Sequence, residues 1–476
     1  MRNTEEMKQF RDRLYSIFPR RADAIMDLVD ALCANTSARS VVELSLSPLF
    51  RRGHASVHDA VEEVFRPKRV VLADAERGRL ERDWRRVVAP HLPAPRQRPF
   101  WLLAVDTLPL ARPHAETLSD RAFVHQAQAV PGRKPVTVGH EYSLVVGLPE
   151  RSAPREPRWS VPLSARRVPT DKDITAVTTA QVLAIIADHD LPSYEQLIAL
   201  VADSRYSIAP LLARLAEVEE LVVISRLRRN RVFFAPPDPA RSPRRGRRPW
   251  YGDRFDLRRP YTWGPPHETI RLDETLPNGR TATVELQVWH DRLMRGRRDA
   301  PMHRYSMTVL RVRRLDERGR QLDTAPMWLG ITGTRRAEVT PVDGYHAFRQ
   351  RFDQEHLHRF ARQHLLFDAF ATPDTAHEEN WVTLVALAAG QLFAFRRLAR
   401  NVPRPWERQT TAPEGAVASP SMVQRDFTRI SALLGTPARP PKRRGKSPGR
   451  PAGHHPRRRK RFAIVRKSHP APYVPP

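Results

Sequence analysis

Two uninterrupted apolar runs constrain this chain more than any other feature: FWLLAV, from Phe100 to Val105, stops at Asp106, and LIALVA, from Leu197 to Ala202, stops at Asp203. Six apolar residues in a row leave a strand no polar face to turn toward water, so each run is expected to be buried on both sides. Strands of that kind belong to a sheet covered by helices, which makes the class α/β. Each run also delivers a carboxylate where it ends. An Asp there can simply open a turn. Two such strands side by side would set two acids at one sheet edge.

The rest of the chain divides around these runs. Residues 1–95 read as a helical region, with apolar spacings of three and four over Ile25–Leu32 and Val57–Phe65. Ser56 with Asp59 resembles a capping box, Pro67 stops that helix, and Ala75–Val88 forms a third, Arg-rich one. This region is expected either to bind DNA or to cap the next domain. Residues 96–220 form the first part of an α/β core, with strand-like segments at 136–148 and 159–163 and a helix over 178–187. Residues 221–335 read as a β-rich insertion with strands near 221–224, 232–234, 281–289, 306–312 and 327–331. Its loop 236–266 sets Arg241, Arg244, Arg245, Arg247 and Arg248 beside Trp250 and Tyr251, a composition that suits a phosphate backbone and an unstacked base, or a solvated loop. Residues 336–400 return to helices, at 345–366 and 380–398, the second entered through Thr372-Pro373-Asp374. An extension, 401–435, and a disordered basic tail, 436–476, complete the chain.

Charge narrows the partner. Against 81 Lys+Arg stand 52 Asp+Glu, a formal charge of +29, and each cation that meets a phosphate releases condensed counterion. Nucleic acid is the expected partner. The last 41 residues hold 13 of the cations and no acid, among prolines and glycines that bury too little surface to fold. With Cys33 as the single cysteine, a disulfide framework and a multi-cysteine zinc site are excluded. The N-terminus is charged throughout, and the most apolar stretch, Trp381–Phe395, is shorter than the roughly 20 residues a bilayer needs, so a soluble intracellular protein without a membrane segment is expected.

A second motif lies in the 345–366 helix. Phe348, Arg351, Glu355 and Arg362 follow the spacing aromatic, two residues, Arg, three residues, Glu, six residues, cation, which puts all four on one helical face. An ordinary amphipathic helix with an Arg351–Glu355 ion pair would share that spacing. The cluster His377-Glu378-Glu379-Asn380 offers two competing acids, although acids in a first helical turn are also what the helix dipole favours. His356 and His358 lack the spacing of three or four that would let them converge on a metal.

Two strands ending in Asp, followed by a helix with this spacing, resemble the DDE transposases of bacterial insertion sequences that carry the Tyr-x2-Arg-x3-Glu-x6-Lys signature. The resemblance covers about residues 96–400, includes the flanking His140-Glu141-Tyr142 and Arg226-Leu227-Arg228, and separates Asp203 from Glu355 by 152 positions, room for a β insertion. It departs at Phe348, where the family has Tyr, and at Arg362, where it has Lys; Tyr345, one turn earlier, could supply the lost hydroxyl.

The resemblance implies an RNase H-like catalytic core with Asp106, Asp203 and Glu355 as its triad. Two magnesium ions, with manganese as substitute, are the implied cofactors, because paired divalent ions assist both the attacking and the leaving oxygen of a phosphodiester. Phe348, Arg351, Arg362, Tyr345, Arg226 and Arg228 are the implied DNA contacts. The expected reaction is cleavage at the ends of an insertion sequence and strand transfer into target DNA. The expected partners are double-stranded terminal repeats and target DNA, with a homodimer holding two ends at the bacterial nucleoid in the cytoplasm. An inactive or domesticated DNA-binding relative, or a structure-specific nuclease on the same fold, are the alternatives.

Overall fold

The structure, a computed structural model, describes residues 2–65, 73–125, 135–151, 156–238, 240, 249–276, 279–401, 416–442, 449, 451–455 and 458–466. Among them, no helix is long and apolar enough to cross a membrane. The expected Pro67 stop and the arginines at 241, 244, 245, 247 and 248 lie outside the described residues.

Four helices open the chain, α1 (Arg2–Ser16), α2 (Ala22–Cys33), the single turn α3 (Val41–Leu44) and α4 (Ala55–Val64), followed by α5 (Ala73–Val88). Ser56 does not cap α4: the helix starts one residue before it, and Asp59 pairs with Arg21. Strands β1 (Trp101–Ala111), β2 (Ala122–His125), β3 (Val136–Gly147) and β4 (Val161–Val168) precede α6 (Ile174–Ile186), whose first turn is capped by Asp173. Next come β5 (Ile198–Ala202), α7 (Ala209–Leu215), β6 (Leu221–Arg226), β7 (Val232–Phe234), β8 (Arg254–Asp256), β9 (Glu268–Thr275), β10 (Thr281–Met294), β11 (Ser306–Leu315) and β12 (Met327–Thr332). The chain ends in α8 (Pro341–Gln350), α9 (Phe352–His364), α10 (Thr375–Ala394), α11 (Arg396–Asn401) and α12 (Pro420–Leu434).

All twelve strands join one mixed sheet in the order β2-β3-β1-β5-β6-β12-β11-β10-β7-β8, with β4 on β3 and β9 on β10. Only β1, β5 and β6 pair in parallel, which requires the crossovers that α6 and α7 supply. The α/β class expected from the apolar runs is the observed one. In β5 all five residues are buried, and they divide by alternation: Ile198, Leu200 and Ala202 face one core, Ala199 and Val201 the other. Burying Ile198, Leu200 or Val201 contributes about 1.5–3 kcal/mol each. The second core is closed by α8, whose Tyr345 and Phe348 pack against Phe100, Leu102, Val222 and Ile224.

The β-rich block does not stand apart from the core sheet. Its first strand, β6, pairs in parallel with β5 and in antiparallel with β12, so the sheet runs on without a break. Strand β9, ETIRLDET, is not among the expected strands, although Ile270 and Leu272 alternate with charged residues as a one-sided edge strand does.

The N-terminal helices pack into the same core as the sheet. Gln391 on α10 reaches Asp30 on α2 at 2.9 Å, and Asp30 holds the buried Arg11. Three of the five arginines of α5 are engaged within the molecule: Arg77 with Glu379, Arg85 with Asp188 and Arg86 with Asp190. Asp374, not Thr372, caps α10, accepting from the amides of Ala376 and His377, with Pro373 one residue ahead of the cap. Of the basic tail, Phe462 and Val465 reach the sheet edge, where Val465 bridges Ala122 in parallel.

Candidate active site

The expected strand end at Asp106 is corrected by the structure. Strand β1 continues five residues further, to Ala111, because its antiparallel partner β3 stays paired with it as far as Gly139. What stops at Asp106 is the parallel ladder: the last pairs are Val105 with Ala202 and Ala202 with Ser225. Asp106, Asp203 and Arg226 each follow their strand's last parallel pair, so two acids and a cation occupy equivalent positions on three neighbouring strands.

Asp106 is held by two donors. Its Oδ1 accepts the Thr107 backbone N–H at 2.8 Å, and its Oδ2 accepts Arg351 Nη1 at 3.0 Å. Burial raises the Asp106 carboxyl above its ordinary value, Arg351 and the Thr107 amide counter it, and the negative charges of Asp203 and Glu355 push it up further. All three acids therefore share one electrostatic neighbourhood. Among the described residues, no three His, Cys, Asp or Glu side chains form a ready-made metal cage.

Arg351 organises this neighbourhood. The expected single helix over 345–366 divides there into α8 and α9, with Arg351 between them in helical backbone conformation. Its Nη2 donates to Glu355 Oε1 at 2.8 Å, so one guanidinium ties Glu355 to Asp106. Its side chain is 8% exposed and lies over the rings of Phe348 and Phe352. Its Nε is buried without a partner.

The remaining candidates are placed as follows. Phe348 is 2% exposed and Tyr345 fully buried, its hydroxyl donating to Glu274 at 2.7 Å, so both rings belong to the core and neither faces a surface where DNA could lie. Arg362 is half-buried and donates to the Pro109 carbonyl of β1 at 2.7 Å, which fastens α9 along the strand that carries Asp106. Arg226 and Arg228 are exposed. Glu378, the competing acid, is fully buried and saturated by Arg112 Nε at 2.9 Å, His140 Nδ1 at 2.6 Å and the Tyr142 hydroxyl at 2.9 Å. Burial alone would raise its pKa, but His140, Arg112 and Tyr142 hold it below its ordinary value. Glu379 is bound by Arg77 and Arg167. These two acids are structural ties between α10 and the sheet.

Two neighbours complete the surroundings of the site: Arg205, which is not among the sequence candidates, and His358, weighed there only as a metal ligand. Arg205, two residues after Asp203, donates to Glu141 at 3.0 Å and lies 3.4 Å from Thr107 Oγ1, so it pins the loop that carries Asp203 to β1 and β3. The short run Asp-Ser-Arg-Tyr after the apolar stretch was the available clue. His358, one turn beyond Glu355, is pulled down to about 3 by burial and by the charges of Arg362 and Arg351, which keeps it neutral.

Against known families, a model described as DDE superfamily endonuclease matches residues 13–295, more than half of the chain. The match includes Asp106 and Asp203 and ends before Glu355. No curated protein matches the sequence.

Proposed function

The chain belongs to the DDE superfamily of endonucleases, and on that premise we propose that it is a transposase that cleaves DNA at the ends of an insertion sequence and joins them to target DNA. Membership makes it an enzyme of nuclease or transposase type whose substrate is DNA. The observation that carries the finer reading is the Asp106–Arg351–Glu355 chain beside Asp203, because it gathers two acids 249 positions apart in sequence around one guanidinium.

The donor set suits hard divalent cations: three carboxylates, of which the half-buried Asp106 is raised in pKa first by desolvation and further by the charges of the other two. Asp106, Asp203 and Glu355 would hold them. When bound, a pair of magnesium or manganese ions supplies Lewis-acid activation at the attacking and leaving oxygens. The Arg351 guanidinium, whose planar fork suits a phosphate, would grip the DNA backbone at this site. Arg226 and Arg228, exposed beside Asp203, position the flanking phosphates. Arg205 and Arg362 fix the Asp203 loop and α9 against β1, so the acids are held by elements that do not depend on the substrate.

A homodimer, one protomer per element end, completes the proposal. Nicking of a terminal-repeat duplex in magnesium, compared with an Asp106→Ala variant, tests it. Equal nicking by both proteins rejects the site. Cleavage without end-specific binding or strand transfer would instead identify a structure-specific nuclease, and binding without cleavage an inactive relative.

A further inference from the structure

The basic tail contains one apolar island, Phe462-Ala463-Ile464-Val465, directly after the cations Arg458, Arg459, Lys460 and Arg461. The structure lays this island beside the loop before the edge strand β2 and against that strand's first residue, Ala122. The Phe462 amide donates to the Glu116 carbonyl at 2.8 Å and the Val465 amide to the Arg121 carbonyl at 2.7 Å. Arg121, itself 2% exposed, returns a bond from Nη2 to the Phe462 carbonyl at 3.3 Å. Phe462 and Val465 are half-buried, while Ala463 and Ile464 face outward. An edge strand with free backbone groups is a template for such an addition.

The four cations ahead of the island are thereby held at one place. All are exposed; Arg461 pairs with Glu116 at 3.2 Å, and Lys460 lies over the Phe462 ring. Arg458 and Arg459 have no ion pair among the described residues. The anchor point is five positions along β1 from Asp106, by way of the pairs Ala111–Gly139 and Gly139–Ala122, and three strands across. At about 3.4 Å per residue and about 4.8 Å per strand, that is roughly 20 Å. We infer that the Phe462–Val465 clip fixes the Arg458–Arg461 run as a docking surface for the sugar-phosphate backbone of duplex DNA about six base pairs from the cleavage position. This rests on the DNA-cutting reading above for its partner. The local reason is entropic: an anchored cation has less freedom to lose on meeting a phosphate than one on a free tail.

The test is equilibrium binding of the full chain to a short random-sequence duplex over a range of salt, without metal and without cleavage. Two variants carry it. Neutralising Arg458, Arg459, Lys460 and Arg461 to Gln should reduce the salt slope by up to about 3.6, at about 0.9 per phosphate contact. Phe462→Ser with Val465→Ser keeps every charge but removes the clip; it should weaken binding about tenfold and abolish hydrogen-exchange protection of the Phe462 and Val465 amides. A wild-type salt slope in the first variant, or wild-type affinity in the second, overturns the inference. Both are independent of nicking, so failure here leaves the catalytic reading standing, and absence of nicking by the wild type leaves this surface untouched.

Discussion

Arg351 Nη1 lies 3.0 Å from Asp106 Oδ2, a bond that joins the break between α8 and α9 to strand β1 of the sheet. The same guanidinium reaches Glu355. Arg351 is the ion partner of the half-buried Asp106.

Removing that charge should therefore destabilise the metal-free protein. Arg351→Ala leaves Asp106 without its ion partner, a loss of about 2–4 kcal/mol for a mostly buried pair. Magnesium should recover part of this, since a divalent cation takes over the neutralising role. Urea unfolding with and without magnesium checks it; a loss unaffected by the metal would argue against a cation between these acids.

Each proposed acid should matter separately for cleavage. Asp106→Asn, Asp203→Asn and Glu355→Gln are each expected to reduce nicking by at least about 100-fold while the circular dichroism spectrum stays unchanged. Glu378→Gln and Glu379→Gln should retain activity at temperatures where they stay folded. Retained nicking in Glu355→Gln with loss in Glu378→Gln would exchange the two acids' roles.

Glu378 predicts a pH dependence of stability. Its folded pKa lies below the ordinary 4.5, so the folded state binds fewer protons than the unfolded one between the two values. The stabilisation is fully present above about pH 4.5 and declines as the pH falls through the folded pKa. Glu378→Gln should be less stable at pH 7 and show a flatter acid limb below pH 4.5. An acid limb as steep as the wild type's would assign that dependence to other carboxylates.

Exposed cations beside the site should act through the DNA backbone. Arg226→Gln with Arg228→Gln is expected to lower the salt slope of duplex binding by about 2 and to weaken binding without regard to sequence. Fluorescence anisotropy across a salt series reads both.

Gly390 tests whether the N-terminal helices belong to the core. A Cβ there would come 2.2 Å from the Trp84 ring, and Trp84 is fixed by its Nε1 bond to the Pro162 carbonyl. Gly390→Ala should cost about 1–3 kcal/mol through overpacking between α10 and α5. An unchanged urea midpoint would mean that α5 moves freely away from α10.

The central strands were legible because six apolar residues in a row admit only burial on two faces, and β5 shows both faces used. The acids at 106 and 203 were legible because each interrupts such a run. Glu355 rested on spacing along one helical face, which survives the break at Arg351 because that residue keeps helical dihedrals. Spacing could not reveal that Phe348 and Tyr345 turn into the core, since a helix has two candidate faces and only the packed sheet chooses between them. Nor could it reveal the clip at Phe462–Val465, where four residues carry too weak a pattern to distinguish a strand from a loop.

By itself the sequence determined what each segment must hide from water and where charge had to remain: the covered sheet, two acids at the ends of its apolar runs, and a basic surface. Only the tertiary structure decided which charges meet. Arg351 finds Asp106 across 245 positions, and Glu378 is consumed by Arg112, His140 and Tyr142. The reason is physical: burial follows local composition, whereas ion pairing depends on distances of a few ångströms that arise only once the strands and helices have packed.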